Sequence, residues 1–144
     1  MLNIRQIEFN SAEYNQSIEL RDKILRKPLG MVYTTDFLAA EKDQYHIAAF
    51  DNEKIVGVLL LKKIDEQTLQ MRQVAVDDTL QGKGIGRQMV EFCEKFSKEK
   101  GFAKIILHAR KVAVGFYLKL DYKITTDEFM EIGIPHYEMT KILN

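Results

Sequence analysis

The sequence predicts a mixed α/β domain in which a central sheet carries helices on both faces. Between residues 45 and 77, three strand patterns follow one another with no helix between them. Three alternate glycines, at positions 82, 84 and 86, then lead into a long amphipathic segment and a further strand. Strands joined by short turns pair antiparallel, whereas a strand–helix–strand unit pairs in parallel. A sheet with both kinds of connection is mixed, and its crossover helices cover its faces.

The first elements are a strand and a helix. The segment "LNIRQIEF" alternates apolar and polar residues, which is typical of a half-buried strand. Ser11 then begins a helical pattern as its N-cap, and Pro28 and Gly30 end it. A second short helix is expected around "TDFLAAEK".

A run of three strands comes next. "QYHIAAFD" and "KIVGVLLLKKID" read as a hairpin whose turn is built on Asp51 and Asn52. "QTLQMRQVAVD" is the third strand, and the glycine-rich segment after it opens a helix that reaches about Lys100 and ends at Gly101. These elements form the meander and the first half of the strand–helix–strand unit.

The remaining elements complete the sheet. "AKIILHA" is an apolar strand, and "RKVAVGFYLKL" is helical in pattern although its valines weaken the signal. The last segment contains two short strands around an irregular stretch between residues 127 and 137, where Gly133 and Pro135 break the pattern. No linker or repeat divides the chain, so residues 1–144 are expected to form one domain.

Composition excludes several classes of protein. The 21 basic and 21 acidic residues balance, so no basic surface favours a nucleic-acid partner. No apolar run approaches the length of a membrane helix, and the first residues lack a signal-peptide pattern. The only cysteine, Cys93, rules out an internal disulfide and fits a reducing compartment. We therefore expect a cytoplasmic protein without a membrane partner.

The glycine-rich segment "LQGKGIGRQ" has the context of an anion site, because it follows a strand and opens a helix. Glycines at 82, 84 and 86 leave the backbone N–H groups accessible, and the helix dipole adds positive potential there. Lys83 and Arg87 flank the same place. The spacing fits neither a P-loop, which needs Ser or Thr after its Lys, nor the dinucleotide fingerprint G-x-G-x-x-G. A plain tight turn would need only one glycine.

The pattern Gln81-x-x-Gly84-x-Gly86 resembles the pyrophosphate loop of the GNAT N-acetyltransferases, Q/R-x-x-G-x-G/A. "RQVAV" is similar to the strand that lines the pantetheine arm, and "ARKVAVGFYLKLDY" to the later helix that carries a tyrosine beside the thioester sulfur. "LRDKILRKPLG", "HIAAF" and "EIGIPHYEM" resemble the ElaA-like branch. Two departures are Arg110 in place of a frequent Asn, and Asp121-Tyr122 in place of "GF".

The resemblance implies a partly splayed central sheet and acetyl-CoA (CoA) as cofactor, with transfer of acetyl to a primary amine. Unpaired N–H groups at the splayed end of strand 71–76 would hold pantetheine and polarise the thioester carbonyl. The residues expected to contact the cofactor are Val74, Val76, Gln81, Gly82, Lys83, Gly84, Ile85, Gly86, Arg87, Phe116 and Tyr117.

The catalytic roles implied by the resemblance start with Tyr117, which would protonate the departing thiolate. An alkylamine is mostly protonated at neutral pH, so a base must remove a proton before attack. Glu131 and His136 are the candidates. Glu131 could instead anchor a cationic amine or be a solvated carboxylate, and His136 could be a hydrogen-bonded histidine at a strand end.

Arg21 and Arg26 could line the acceptor cleft, or belong to a solvated helix face. His46 reads as structural, and His108 has no partner that the sequence identifies. Cys93 lies on the apolar face of its helix and reads as core. Three scattered histidines and one cysteine give no metal-ligand spacing, so no metal is expected.

Two functions from different classes remain open at this stage. The first is an acetyltransferase that acts on a small-molecule or peptide amine. The second is a non-catalytic CoA-binding sensor or interaction module. The resemblance also allows a homodimer.

Overall fold

The computed structural model describes residues 2–144, and within this range eight strands form one sheet. The strand order is β1-β2-β3-β4-β5-β8-β6, and β7 pairs with β8 beside this path. Only β4 and β5 pair in parallel, so the sheet is mixed, as the connections predict. The strands are β1 Leu2–Ile7, β2 Tyr45–Asp51, β3 Lys54–Asp65, β4 Thr68–Val76, β5 Lys104–Arg110, β6 Lys123–Ile124, β7 Phe129–Glu131 and β8 Ile134–Ile142.

Capping residues and glycines explain where helical segments begin and end. Ser11 accepts a hydrogen bond from the Tyr14 amide at 3.0 Å and caps the first helix. Gly30 and Gly101 take left-handed φ angles of 67° and 92° where the helical segments end. The helices are α1 Ala12–Arg21, α2 Thr35–Ala39, α3 Ile85–Glu99 and α4 Val114–Leu118. A π-helical turn, Asp22–Arg26, and a short 3₁₀ turn, Lys27–Leu29, extend α1.

Helices cover both faces of the sheet, as the sequence predicts. Leu20 of α1 belongs to one buried cluster with Val58 and Leu60 of β3. Leu59, the intervening residue, faces the other side and joins the larger core cluster with Met89 of α3. Neighbouring side chains on a strand point to opposite faces, so β3 is buried on both sides and reads as a continuous apolar run.

The sheet opens between β4 and β5. The two strands pair only from Thr68 to Met71 and from Lys104 to Leu107. Beyond Met71 the pairing of β4 with β3 shifts register, and Gln73 has a φ of 54°, in the left-handed region. A bulge of this kind bends a strand and increases its twist. The end of β4 therefore diverges from β5, which confirms the partly splayed sheet.

The C-terminal segment differs from the prediction. Most of the stretch between residues 127 and 137 is regular, because β7 and the start of β8 pair as a hairpin from residue 129 to residue 136. Ile132 and Gly133, with φ angles of 47° and 72°, form its tight turn, as expected for two residues at positive φ in a hairpin loop. Pro135 lies near the start of β8 opposite Met130, a position where a strand tolerates proline.

A buried ion pair joins α1 to the segment after α2. Arg21 and Glu41 are 0% and 1% exposed, and two nitrogens of Arg21 donate to the carboxylate at 2.8 and 2.6 Å. Tyr14 donates to the same carboxylate at 3.2 Å, and His46 contacts the Glu41 carbonyl at 2.9 Å. Burial lowers the pKa of His46. The prediction that Arg21 lines a cleft or a solvated face is wrong, because its guanidinium is enclosed with Glu41.

Candidate active site

The glycine loop lies against the open end of β4. Gly82 and Gly84 have φ angles of 84° and 83°, and Gly84 is the residue before the first turn of α3. These angles favour glycine because a side chain there is strained. Asp77 organises the start of the loop by accepting hydrogen bonds from the Thr79 amide and hydroxyl at 3.0 and 2.8 Å, which lower its pKa. The loop therefore presents backbone rather than side chains at the start of a helix.

A cavity of about 530 Å³ runs between this loop, β4 and α4. Every residue predicted to contact the cofactor lines it except Lys83. At Gly86 a Cβ atom would lie 3.4 Å from the Phe116 ring, so a larger side chain would have to displace that ring. Gln81 donates to the Val76 carbonyl at 3.2 Å and ties the loop to the strand. We name this space the loop cavity.

A second cavity of about 390 Å³ occupies the opening between β4 and β5. Arg26, Glu131 and His136, which the sequence analysis assigns to the acceptor, line it, and Arg21 does not. Tyr117 lines both this space and the loop cavity. We name the second space the central cavity. The two cavities adjoin, and Tyr117 lies where they meet.

Tyr117 is 7% exposed, and its hydroxyl forms no hydrogen bond with any residue that the structure describes. Its ring packs edge-on against Phe116 and Tyr122. Burial raises the pKa of Tyr117 to about 12. The phenol therefore keeps its proton at neutral pH and is free to donate it to a group in the cavities.

Glu131 lies between two histidines at the other wall of the central cavity. One oxygen is 2.9 Å from Nδ1 of His108, and the other is 3.6 Å from Nε2 of His136. Nδ1 of His136 donates to the Ile134 carbonyl at 2.7 Å, and Nε2 of His108 lies 3.2 Å from Glu138. A neutral imidazole has one N–H, so His108 can donate to both carboxylates only when its ring is protonated.

Three polar residues at this site were missed or left without a role. His108 is paired with Glu138 by the β5–β8 register, which the sequence does not reveal. Arg72 lines the central cavity, and a charged residue inside an apolar strand was the available signal. The Tyr33 hydroxyl donates to Gln73 at 2.7 Å and so holds the bulged residue of β4. Cys93 is fully buried in the core, as predicted.

Residues 2–144 contain neither a candidate metal site nor a candidate membrane-spanning helix. No group of three or more His, Cys, Asp or Glu residues in this range could hold a metal ion. In the same range, no helix has the length and apolar character needed to cross a membrane.

Comparison with known proteins places the geometry in a family context. A family model described as "Acetyltransferase (GNAT) domain" matches residues 21–143. The uncharacterized protein YyaT of Bacillus subtilis is 33% identical over 106 residues, which cover 74% of this chain and 71% of YyaT. Escherichia coli ElaA has a TM-score of 0.80 at 21% identity, covering 98% of this chain and 99% of ElaA. An aminoglycoside 6'-N-acetyltransferase complexed with coenzyme A has a TM-score of 0.82 at 16% identity, covering 99% and 97%.

Proposed function

Because the chain belongs to the GNAT acetyltransferase family, we propose that it transfers acetyl from acetyl-CoA to a primary amine by direct attack on the thioester. The observation that carries the proposal is the position of Tyr117, at the junction of the loop cavity and the central cavity. A thioester that reaches this junction from the loop meets an amine that enters from the opening between β4 and β5.

The loop cavity has the features that a pyrophosphate requires. Gly82 and Gly84 expose backbone N–H groups at the start of α3, where the helix dipole favours an anion. Arg87 lines the cavity and adds positive charge. The structurally similar aminoglycoside acetyltransferase is complexed with coenzyme A, which supports the same cofactor here.

The open end of β4 would hold the arm that leads to the thioester. Beyond Met71 this strand has no pairing with β5, and Val74 and Val76 line the loop cavity. Unpaired backbone groups there can bind an amide-rich arm and polarise a carbonyl. Acetyl-CoA supplies an activated acetyl group, and the side chains of the central cavity govern the proton transfers.

The proton balance requires one donor and one acceptor. Tyr117 would donate its proton to the departing sulfur, which would keep the electron pair of the C–S bond as the C–N bond forms. The attacking amine loses a proton to Glu131 or His136, directly or through a water molecule. Glu131 has the accessible carboxylate, with 45% of its side chain exposed, whereas His136 has 5%. The same carboxylate could instead attract the ammonium form of the acceptor.

The cellular location, the partners and the oligomeric state are also part of the proposal. A single buried cysteine fits a reducing compartment, which supports a cytoplasmic location. The acceptor is a small molecule or a peptide that carries an amine, and neither a nucleic acid nor a membrane is expected as partner. A homodimer is allowed by the family.

The test combines a CoA-thiol release assay on an amine panel with measurement of CoA affinity. We expect acetyl-CoA and an amine together to release thiol, and Gly84→Glu to abolish CoA binding. Gly101→Glu is the matched control, because Gly101 has the same positive φ and similar open surroundings but lies at the far end of α3. Equal CoA affinity in the two folded variants would contradict the loop assignment. CoA binding without thiol release on any amine would instead favour the non-catalytic module.

A further inference from the structure

Three arginines without an acidic partner, Arg26, Arg72 and Arg110, line the cavity proposed for the acceptor. Arg26 and Arg72 line the central cavity, and both also line an adjoining space of about 250 Å³ that reaches Phe37. Tyr117 and the glycine loop do not border this adjoining space, so it lies on the side away from the cofactor. We name it the outer cavity.

Neither Arg26 nor Arg72 has a carboxylate as a direct partner. Among residues 2–144, no carboxylate oxygen lies within 4.0 Å of Arg26 or Arg72. Arg72 donates to Gln44 at 3.0 Å, and Arg26 stacks on the rings of Tyr33 and Phe37 at 4.7 and 5.1 Å. Burial lowers the pKa of Arg72. Glu41 and Glu131 act on Arg72 only from beyond salt-bridge distance, and Arg21 and Arg26 oppose them. A partly buried guanidinium without a direct counter-charge is costly unless a ligand supplies one.

The contrast with Arg21, which lies outside the cavity, is informative. Arg21 is enclosed with Glu41, so its charge is already compensated. Glu131, the carboxylate that borders the outer cavity, is engaged by His108 and His136. The fork of a guanidinium matches the oxygens of carboxylate or phosphate. The open hydrogen-bonding capacity of the outer cavity is therefore suited to an anionic group.

We propose that the acceptor is an amine that also carries an anionic group, a carboxylate or a phosphate, which Arg26 and Arg72 bind in the outer cavity. This inference rests on the proposed function, because that function supplies the amine. The anion would fix the orientation of the acceptor and point its amine along the central cavity towards Tyr117. The anionic groups of CoA are no competitors, since the loop cavity lies beyond Tyr117.

Matched pairs of amines test the inference without requiring turnover. Amide NMR titrations, with and without CoA, compare phosphoethanolamine with ethanolamine, and β-alanine with β-alaninamide. We expect the member of at least one pair that carries the carboxylate or phosphate to bind about tenfold or more tightly than its partner without that group, the size expected for charge-assisted hydrogen bonds. The pair that shows the larger preference distinguishes phosphate from carboxylate.

Charge-removing variants locate the preference. Arg26→Gln and Arg72→Gln should each reduce it, and the double variant should abolish it by weakening the binding of the amine that carries the anionic group. Lys123→Gln, which removes an exposed charge on β6, should keep the full preference. Equal or undetectable binding of all four amines by the native protein would overturn the inference, as would an undiminished preference in the double variant. If the native protein binds the amines with an anionic group more tightly but acetylates none of the amines, the proposed function fails and the present inference stands.

Discussion

The buried ion pair of Arg21 and Glu41 should dominate the stability of the N-terminal half. Both side chains are almost fully enclosed, and the carboxylate accepts hydrogen bonds from two nitrogens of Arg21 and from Tyr14. In Glu41→Leu the guanidinium stays buried without a counter-charge, which costs about 3–5 kcal/mol. At about 3–4 °C per kcal/mol for a chain of this size, Tm should fall by about 9–20 °C.

The double variant Arg21→Met/Glu41→Leu provides the decisive comparison. It removes both charges and fills the space with apolar atoms, so most of the lost free energy of unfolding should return. A residual loss of about 1–3 kcal/mol is expected from the Tyr14 hydroxyl, which no longer has its acceptor. Urea unfolding, followed by circular dichroism, compares both variants with the native protein.

An exposed pair serves as the control. Arg5 and Glu13 form a salt bridge at 2.5 Å, but their side chains are 46% and 37% exposed. Glu13→Leu should therefore cost less than about 1 kcal/mol. The reasoning is refuted if Glu41→Leu costs no more than Glu13→Leu, or if the double variant is no more stable than Glu41→Leu.

Three further predictions concern the site and the pH dependence. Tyr117→Phe should lower kcat by about 10²-fold or less, with little change in CoA affinity, because the hydroxyl acts as the acid that protonates the leaving sulfur. Steady-state kinetics and CoA titration measure the two effects. An unchanged kcat would contradict the acid role. Glu131→Gln or His136→Ala should raise the acceptor KM or shift the pH profile of kcat/KM upward; identical profiles in both variants would mean that the base lies elsewhere or that the amine binds neutral. Burial lowers the pKa of His46. Below about pH 6.5 the unfolded chain therefore binds a proton that the folded chain does not. The free energy of unfolding should fall as the pH decreases from this value, until the folded-state pKa of His46 is passed. Urea unfolding at several pH values should show a weaker pH dependence in His46→Gln.

The loop and its surroundings could be predicted because their signals are local. Gly82 and Gly84 occur where the backbone takes a positive φ and a helix begins, and these requirements involve only neighbouring residues. The alternation within β1 and the amphipathic period of α3 likewise follow from which face of an element is buried. The helix caps at Ser11 and Gly101 belong to the same class of short-range information.

Two features could not be predicted from the local sequence pattern. Arg21 meets Glu41 across 20 positions, and nothing in the pattern of α1 distinguishes a solvated arginine from a buried, paired one. The hairpin of β7 and β8 depends on a turn at Ile132 and Gly133, where a β-branched residue at positive φ is rare. β7 is a strand because it pairs with β8, and such pairing depends on context more than on the propensity of its own residues.

The sequence by itself determined the mixed sheet, its covered faces and the backbone-lined loop at the start of α3, because periodicity and turn chemistry are properties of short segments. Only the tertiary structure decided which charges are compensated. Strand register brings His108 to Glu138 and β7 brings Glu131 to both histidines, while Arg26 and Arg72 are left facing open cavities. The electrostatics of a site depend on distances of a few ångströms between side chains, and the fold fixes these distances.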